Sequence, residues 1–73
     1  MDTKVIGKFL KELRRERKMT QEELGEMVGV TNKTISKWEN GNYMPPIDVL
    51  MLLCEIYDVT INEILNGRRL EDA

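Results

Sequence analysis

The side chains of this chain best suited to chemistry gather on one short segment. Asn32, Lys33, Ser36 and Lys37 recur at three- and four-residue spacing, which places them on one face of a helix. Their chemistry is recognition rather than bond-making. A carboxamide, a hydroxyl and two ammonium groups can hydrogen-bond to polar edges and anions, but none of them is a nucleophile with a base beside it. The parts of a catalytic site are missing elsewhere too. The chain has no histidine, its one cysteine, Cys54, lies in an apolar stretch, and Glu22, Glu23 and Glu26 belong to a helix surface, where they read as helix-supporting charges. No enzyme activity is expected. A lone cysteine without histidine also removes Cys/His zinc sites and an intramolecular disulfide, so no metal, cofactor or small-molecule ligand is expected.

Five helices must position that polar face. Apolar residues at Val5, Ile6, Phe9, Leu10 and Leu13 mark the first, with Asp2 or Thr3 as its cap, and it runs into the basic stretch Arg14, Arg15, Glu16, Arg17 and Lys18. Thr20 followed three residues later by Glu23 is a capping box that opens a second helix. This helix carries Leu24, Met27 and Val28 on one face and stops at Gly29. Thr31 caps a third helix through Ile35 and Trp38 to Asn40, ended by Gly41. After a loop over residues 42–46 with Pro45 and Pro46, a fourth helix holds Ile47, Val49, Leu50, Leu53, Ile56 and Tyr57. Its apolar content predicts a central place. Thr60 and Glu63 repeat the capping box before a short fifth helix with Ile61, Ile64 and Leu65, which Gly67 ends. No strand pattern or internal repeat interrupts this all-α reading.

The link between the second and third helices is only a few residues long, which forces a steep crossing, the geometry of a helix-turn-helix unit. Such a unit needs a tiny residue where the two helices touch, supplied by Gly25. It needs a residue free to take positive φ in the turn, supplied by Gly29. It also needs apolar anchors on the inner face of the third helix, supplied by Val30, Ile35 and Trp38. The spacing of Trp38 from Ile35 marks it as a packing residue rather than a base-stacking platform. Phe9, Met27, Met51 and Cys54 are likewise read as packing residues.

On these residues the chain resembles the phage repressor and Cro family (XRE type) of helix-turn-helix domains. The matching stretches are Ile6-Gly7-Lys8 with Leu13-Arg14, Met19-Thr20-Gln21-Glu22-Glu23-Leu24, Val28-Gly29-Val30-Thr31, and Ile35-Ser36-Lys37-Trp38-Glu39-Asn40-Gly41. They continue with the proline after the loop and Leu53 to Leu65. The resemblance implies a five-helix, lambda-repressor-like domain over residues 1–67 with a short tail over 68–73. It implies that Asn32, Lys33 and Lys37 reach base edges, with Ser36 and Thr34 as lesser contacts. Asparagine can pair two-fold with adenine and lysine can donate to guanine, each good contact discriminating by roughly 1–3 kcal/mol. It further implies phosphate contacts at Gln21, Thr31, Thr34, Asn40 and Asn42, including backbone amides near Asn40 to Asn42. Arg17 and Lys18 stand as candidates for a backbone approach, with a solvated run as the competing reading. An Arg14–Glu39 ion pair bridging two helices is implied as well. So is binding of double-stranded DNA as a homodimer, one third helix in each of two major grooves about 34 Å apart, with Ile61 and Leu70 at the dimer contact. Two departures stand out. Lys18 occupies a position where glycine is common, and Gly25 one where alanine is usual.

Length and charge set the outer bounds. Seventy-three residues make one domain, near the lower limit for a core without staples. The net charge of −2 is unusual for a chain that seeks phosphate, but its distribution is uneven. Residues 1–44 carry nine basic against seven acidic side chains, and residues 45–73 carry two against six, so the first part is the one fit to face an anion. With no bilayer-length apolar run and Asp2-Thr3-Lys4 after Met1, the expected location is cytoplasmic, with no membrane partner. A different class of function stays open beside DNA binding. A protein-binding module, such as an antitoxin or adaptor subunit, could use the same fold, and the acidic second part would suit it.

Overall fold

Local signals account for where each helix begins and ends in the computed structural model, which describes residues 1–70; positions 71–73 of the expected tail lie outside the described residues. The order is α1 (Thr3–Glu16), α2 (Gln21–Val28), α3 (Asn32–Glu39), α4 (Ile47–Tyr57) and α5 (Ile61–Asn66), with no strand among the described residues. Asp2 is the cap of α1, its carboxylate accepting from the amides of Lys4 and Val5. Thr20 and Thr60 close complete capping boxes with Glu23 and Glu63. These bonds to Thr20 and Thr60 hold both carboxylates below the usual carboxylate range. Gly29 ends α2 in the left-handed conformation, at φ 80°.

The core is built around α1, which packs against α3 and α5, while α2 packs on α3 and α4 on α5. Ile6, Phe9, Leu10 and Leu13 of α1 meet Leu24, Ile35, Trp38, Leu50, Leu53, Tyr57, Val59 and Ile64. Burying a dozen such side chains, at about 1.5–3 kcal/mol each, is the term that offsets chain entropy in so small a domain. The central role expected of α4 therefore belongs to α1. Only Leu50, Leu53 and Tyr57 of α4 are buried, and Ile47 (68% exposed) and Met51 (56%) face outward. Met27 of α2, also expected in the core, is 54% exposed. Each of these three lies on a helix whose opposite side already meets the core, so an apolar residue type did not fix its direction. Cys54 is half-buried against the core, and burial pushes its thiol up. No described helix is long and apolar enough to cross a membrane.

The turn from α1 to α2 keeps the shape that glycine would favour while holding a lysine. Lys18 sits at φ 56°, in the left-handed region that costs a residue with a Cβ about 1–2 kcal/mol. Turn hydrogen bonds impose that conformation: the amides of Arg17, Lys18 and Met19 all donate to carbonyls of the last turn of α1. Lys18→Gly should raise stability by about 1 kcal/mol in urea denaturation, since relief of this strain outweighs the greater unfolded-state freedom of glycine. An unchanged or lower midpoint would show that the turn stores no strain.

Candidate nucleic-acid interface

Two glycines decide how α3 is held. An ideal Cβ on Gly7 of α1 would lie 2.5 Å from the carbonyl oxygen of Trp38 and 2.6 Å from that of Glu39, so α1 and α3 approach backbone to side-chain-free backbone. A Cβ on Gly25 of α2 would lie 2.5 Å from the carbonyl oxygen of Val30. The joint is therefore tighter than the usual alanine would permit without a shift. The Gly25 carbonyl accepts the amides of both Gly29 and Val30, at 2.8 and 2.9 Å, closing the turn between α2 and α3. The role of Gly7 went unread in the sequence, although a glycine in the middle of a helix, at a cost of about 1 kcal/mol, is itself a sign of close packing.

A polar cluster then fixes the angle. Arg14 donates from Nε to Glu39 Oε2 at 2.7 Å and from Nη2 to Oε1 at 3.0 Å, a two-point ion pair between α1 and α3. Its Nη1 donates to the Met19 carbonyl at 2.7 Å. Gln21, the first residue of α2, donates from Nε2 to Glu39 Oε1 at 3.1 Å. The two charged side chains are only 10% and 3% exposed. The bond to Glu39 raises the Arg14 pKa above its ordinary value against the opposing effect of burial, so the guanidinium is always charged. Three helices and one turn converge on these two residues. The hydroxyl of buried Tyr57 has no hydrogen-bond partner among the described residues, and burial pushes its pKa well above the ordinary phenol value.

On the outer side, Asn32, Lys33 and Lys37 are exposed and Ser36 is half-buried, so the side chains expected to read bases share the open face of α3. Thr31 is the N-cap of α3, accepting the Thr34 amide at 3.3 Å, with the two hydroxyls also 3.3 Å apart. Asn40, the C-cap, donates from its side chain to Ser36 Oγ at 3.3 Å. Arg17, Lys18 and Asn42 are exposed. One expectation needs correction here. The amides of Asn40, Gly41 and Asn42 donate to the carbonyls of Ser36, Trp38 and Lys37 at 2.9, 3.1 and 2.9 Å, so they complete the end of α3 and are not offered to a phosphate. Only the side chains at Asn40 and Asn42 remain for such a contact. Two neighbours of this face were missed. Lys4 donates from Nζ to the Asn40 carbonyl at 3.0 Å, and the ring of Tyr43 lies 5.6 Å from Lys37 Nζ. Neither carried a local sequence signal, because each depends on segments brought together by the fold.

On α5, Ile61 is half-buried and packed against the core, which gives it a structural place that the sequence did not reveal. Leu70 is exposed. Arg68 and Leu70 donate their amides to the Glu63 carbonyl and Glu63 Oε2, and Arg69 pairs with Glu16 at 2.7 Å. Positions 68–70 are thus tied back onto the helices.

This arrangement of α2, turn and α3 agrees with comparison to known proteins: the family model described as helix-turn-helix matches residues 10–64. The chain belongs to the helix-turn-helix family. Within it, the chain is of the phage repressor and Cro type. It is 39% identical over 61 residues to the HTH-type transcriptional activator BcrR of Enterococcus faecalis, covering 84% of this chain and 30% of that protein. It is 33% identical over 67 residues to repressor protein C2 of Salmonella phage P22, covering 92% of this chain and 31% of that protein. The chain thus spans about a third of the length of these two relatives. The crystal structure of the P22 c2 repressor in complex with synthetic operator 9T superposes with a TM-score of 0.79 at 32% identity, over 85% of this chain and 94% of that one.

The buried cluster generates a clear expectation for this helix-turn-helix domain. Glu39→Ala leaves the Arg14 charge buried and Gln21 without its partner, and should cost about 3–5 kcal/mol. Glu22→Ala, at an exposed helix position, should stay within about 0.5 kcal/mol. Urea denaturation of the two variants side by side measures the difference, and equal losses would show that the pair is held too loosely to matter.

Proposed function

We propose that the chain is the DNA-binding unit of a transcriptional regulator, a repressor by its likeness to P22 C2, that lays α3 in the major groove of a specific double-stranded site. The observation that carries this is the open face of α3. Asn32, Lys33 and Lys37 are exposed together, on a helix held from behind by Gly7, Gly25 and the Arg14–Glu39 pair. A protein-binding adaptor has no need of that combination. The likeness to a repressor solved with its operator supports the same reading.

In this reading Asn32, Lys33 and Lys37 contact base edges, with Ser36 beside them. Phosphates are met by Thr31, Thr34, the side chains of Asn40 and Asn42, the exposed Arg17 and Lys18, and Gln21. The Thr20 capping box engages the Glu23 amide, so the earlier amides at the positive end of α2 are those a phosphate oxygen would take. Gln21 has a second N–H beyond the one given to Glu39, so one side chain can link the buried cluster to the DNA backbone. The basic side chains of residues 1–44 and the acidic ones of 45–73 orient the approach.

Selection of bound duplexes from a random pool, followed by affinity measurements at two salt concentrations, tests this. Affinity should fall steeply with salt. Lys37→Ala or Asn32→Ala should relax preference at particular base pairs by about 1–3 kcal/mol, while Lys18→Ala should weaken binding to all sequences alike. Affinity indifferent to salt would remove the DNA reading, and equal losses on every sequence would remove the base assignments.

The unit acts as a homodimer on a two-fold symmetric site, with contacts through Ile61 at the start of α5 and Leu70 beyond its end. Because Ile61 also packs on the core, Leu70→Glu is the cleaner probe. It should convert two-subunit complexes on the selected site to one-subunit complexes in sedimentation experiments. Persistence of the two-subunit complex would move the contact elsewhere, with exposed Ile47 and Met51 the first residues to test.

A further inference from the structure

The loop that joins α3 to α4 ends its first turn with a large aromatic ring that the core does not use. Tyr43 is 62% exposed, yet its backbone is held on both sides. Before it, the Asn42 amide donates to the Lys37 carbonyl at 2.9 Å and Gly41, at φ 75°, packs against the backbone of Thr3 and Lys4. After it, Pro45 is buried. A ring with only two rotatable bonds on a held backbone costs little entropy to place, and this one is set beside the open face of α3. The Lys37 ammonium lies 5.6 Å from its centroid, within the range in which a ring face attracts a cation.

Lysine is a poor reader of bases unless something restrains it, because its four-carbon stem must be ordered before its ammonium can point at one acceptor. We propose that Tyr43 is the positioning residue for Lys37, holding its ammonium at the end of α3 so that the chain's preference at the base pair read by Lys37 depends on an aromatic ring outside the helix-turn-helix unit. The inference rests on the DNA-binding reading and adds to it a specificity residue. The contact needs the ring and not the hydroxyl, so phenylalanine suffices at position 43 and an aliphatic residue of similar bulk does not. The attraction strengthens as DNA displaces water from the ammonium, which places the effect in the bound state, where discrimination is read.

The test is a double-mutant cycle with Lys37→Ala, Tyr43→Leu and Tyr43→Phe. Dissociation constants are measured on the selected duplex and on duplexes altered at the base pair that Lys37→Ala relaxes. Tyr43→Leu should weaken binding to the selected duplex by about five- to twelvefold, the difference between an exposed and a desolvated cation–π contact. It should have no effect on the altered duplexes or in the Lys37→Ala background, and Tyr43→Phe should match the wild type. In the free protein, NMR should show the Lys37 Cε protons shifted upfield by the ring in the wild type and Tyr43→Phe, and unshifted in Tyr43→Leu. Equal losses from Tyr43→Leu with and without Lys37 would overturn the proposal, as would an unshifted Lys37 in the wild type. A wild type that binds no duplex would instead overturn the DNA-binding reading itself, and the role of Tyr43 with it.

Discussion

The Arg14–Glu39 pair is the contact on which the geometry depends. An ion pair at a protein surface contributes little, but one as enclosed as this has lost its water and must be matched by close partners. Those partners come from separate elements: the Met19 carbonyl from the turn and the Gln21 carboxamide from α2, besides the two helices that supply the charges. Each is needed to satisfy the others, so the cluster admits one arrangement of α1, α2 and α3. It also explains the strained turn. With the Arg14 guanidinium bound to the Met19 carbonyl and the Arg14 carbonyl accepting the Met19 amide, the chain from 14 to 19 must close tightly, and Lys18 takes the left-handed conformation as a result.

Around this cluster the apolar core supplies adhesion without direction, and the glycines convert adhesion into position. Gly7 brings α1 onto the end of α3, and Gly25 brings α2 onto its beginning. A helix of eight residues has little stability of its own, so α3 exists as a helix because it is gripped from both sides. The same grip leaves its other face free. A short helix with one side wholly engaged and the other presenting an amide, a hydroxyl and two ammonium groups is a rigid polar edge, and the base reading proposed for it requires that rigidity.

Much of this was legible in the residues alone. Helix starts and stops follow from Asp2, Thr20, Thr31, Thr60, Gly29 and Gly67, because a cap is a contact between residues two to four apart and needs no knowledge of the rest of the chain. The amphipathic spacing of α1 and the outward set of Asn32, Lys33 and Lys37 follow from helical periodicity in the same way. Membership of the helix-turn-helix family, visible in the motif from Gln21 to Gly41, agrees with the fold.

The tertiary structure decided whatever depends on which side of a helix finds a partner. Ile47, Met51 and Met27 have core-like side chains and face outward, while a charged pair is buried, because burial follows the packing of whole elements and not residue type. Lys4 reaches the Asn40 carbonyl, Gln21 turns to Glu39, and Lys37 meets Tyr43. Hydrogen bonds and ring contacts are short-ranged, so their partners are chosen only once the helices have docked. The sequence by itself determined five helices, four of them with side-chain caps, and the face that could recognise a ligand; docking alone fixed the tilt of that face and the neighbours that restrain it.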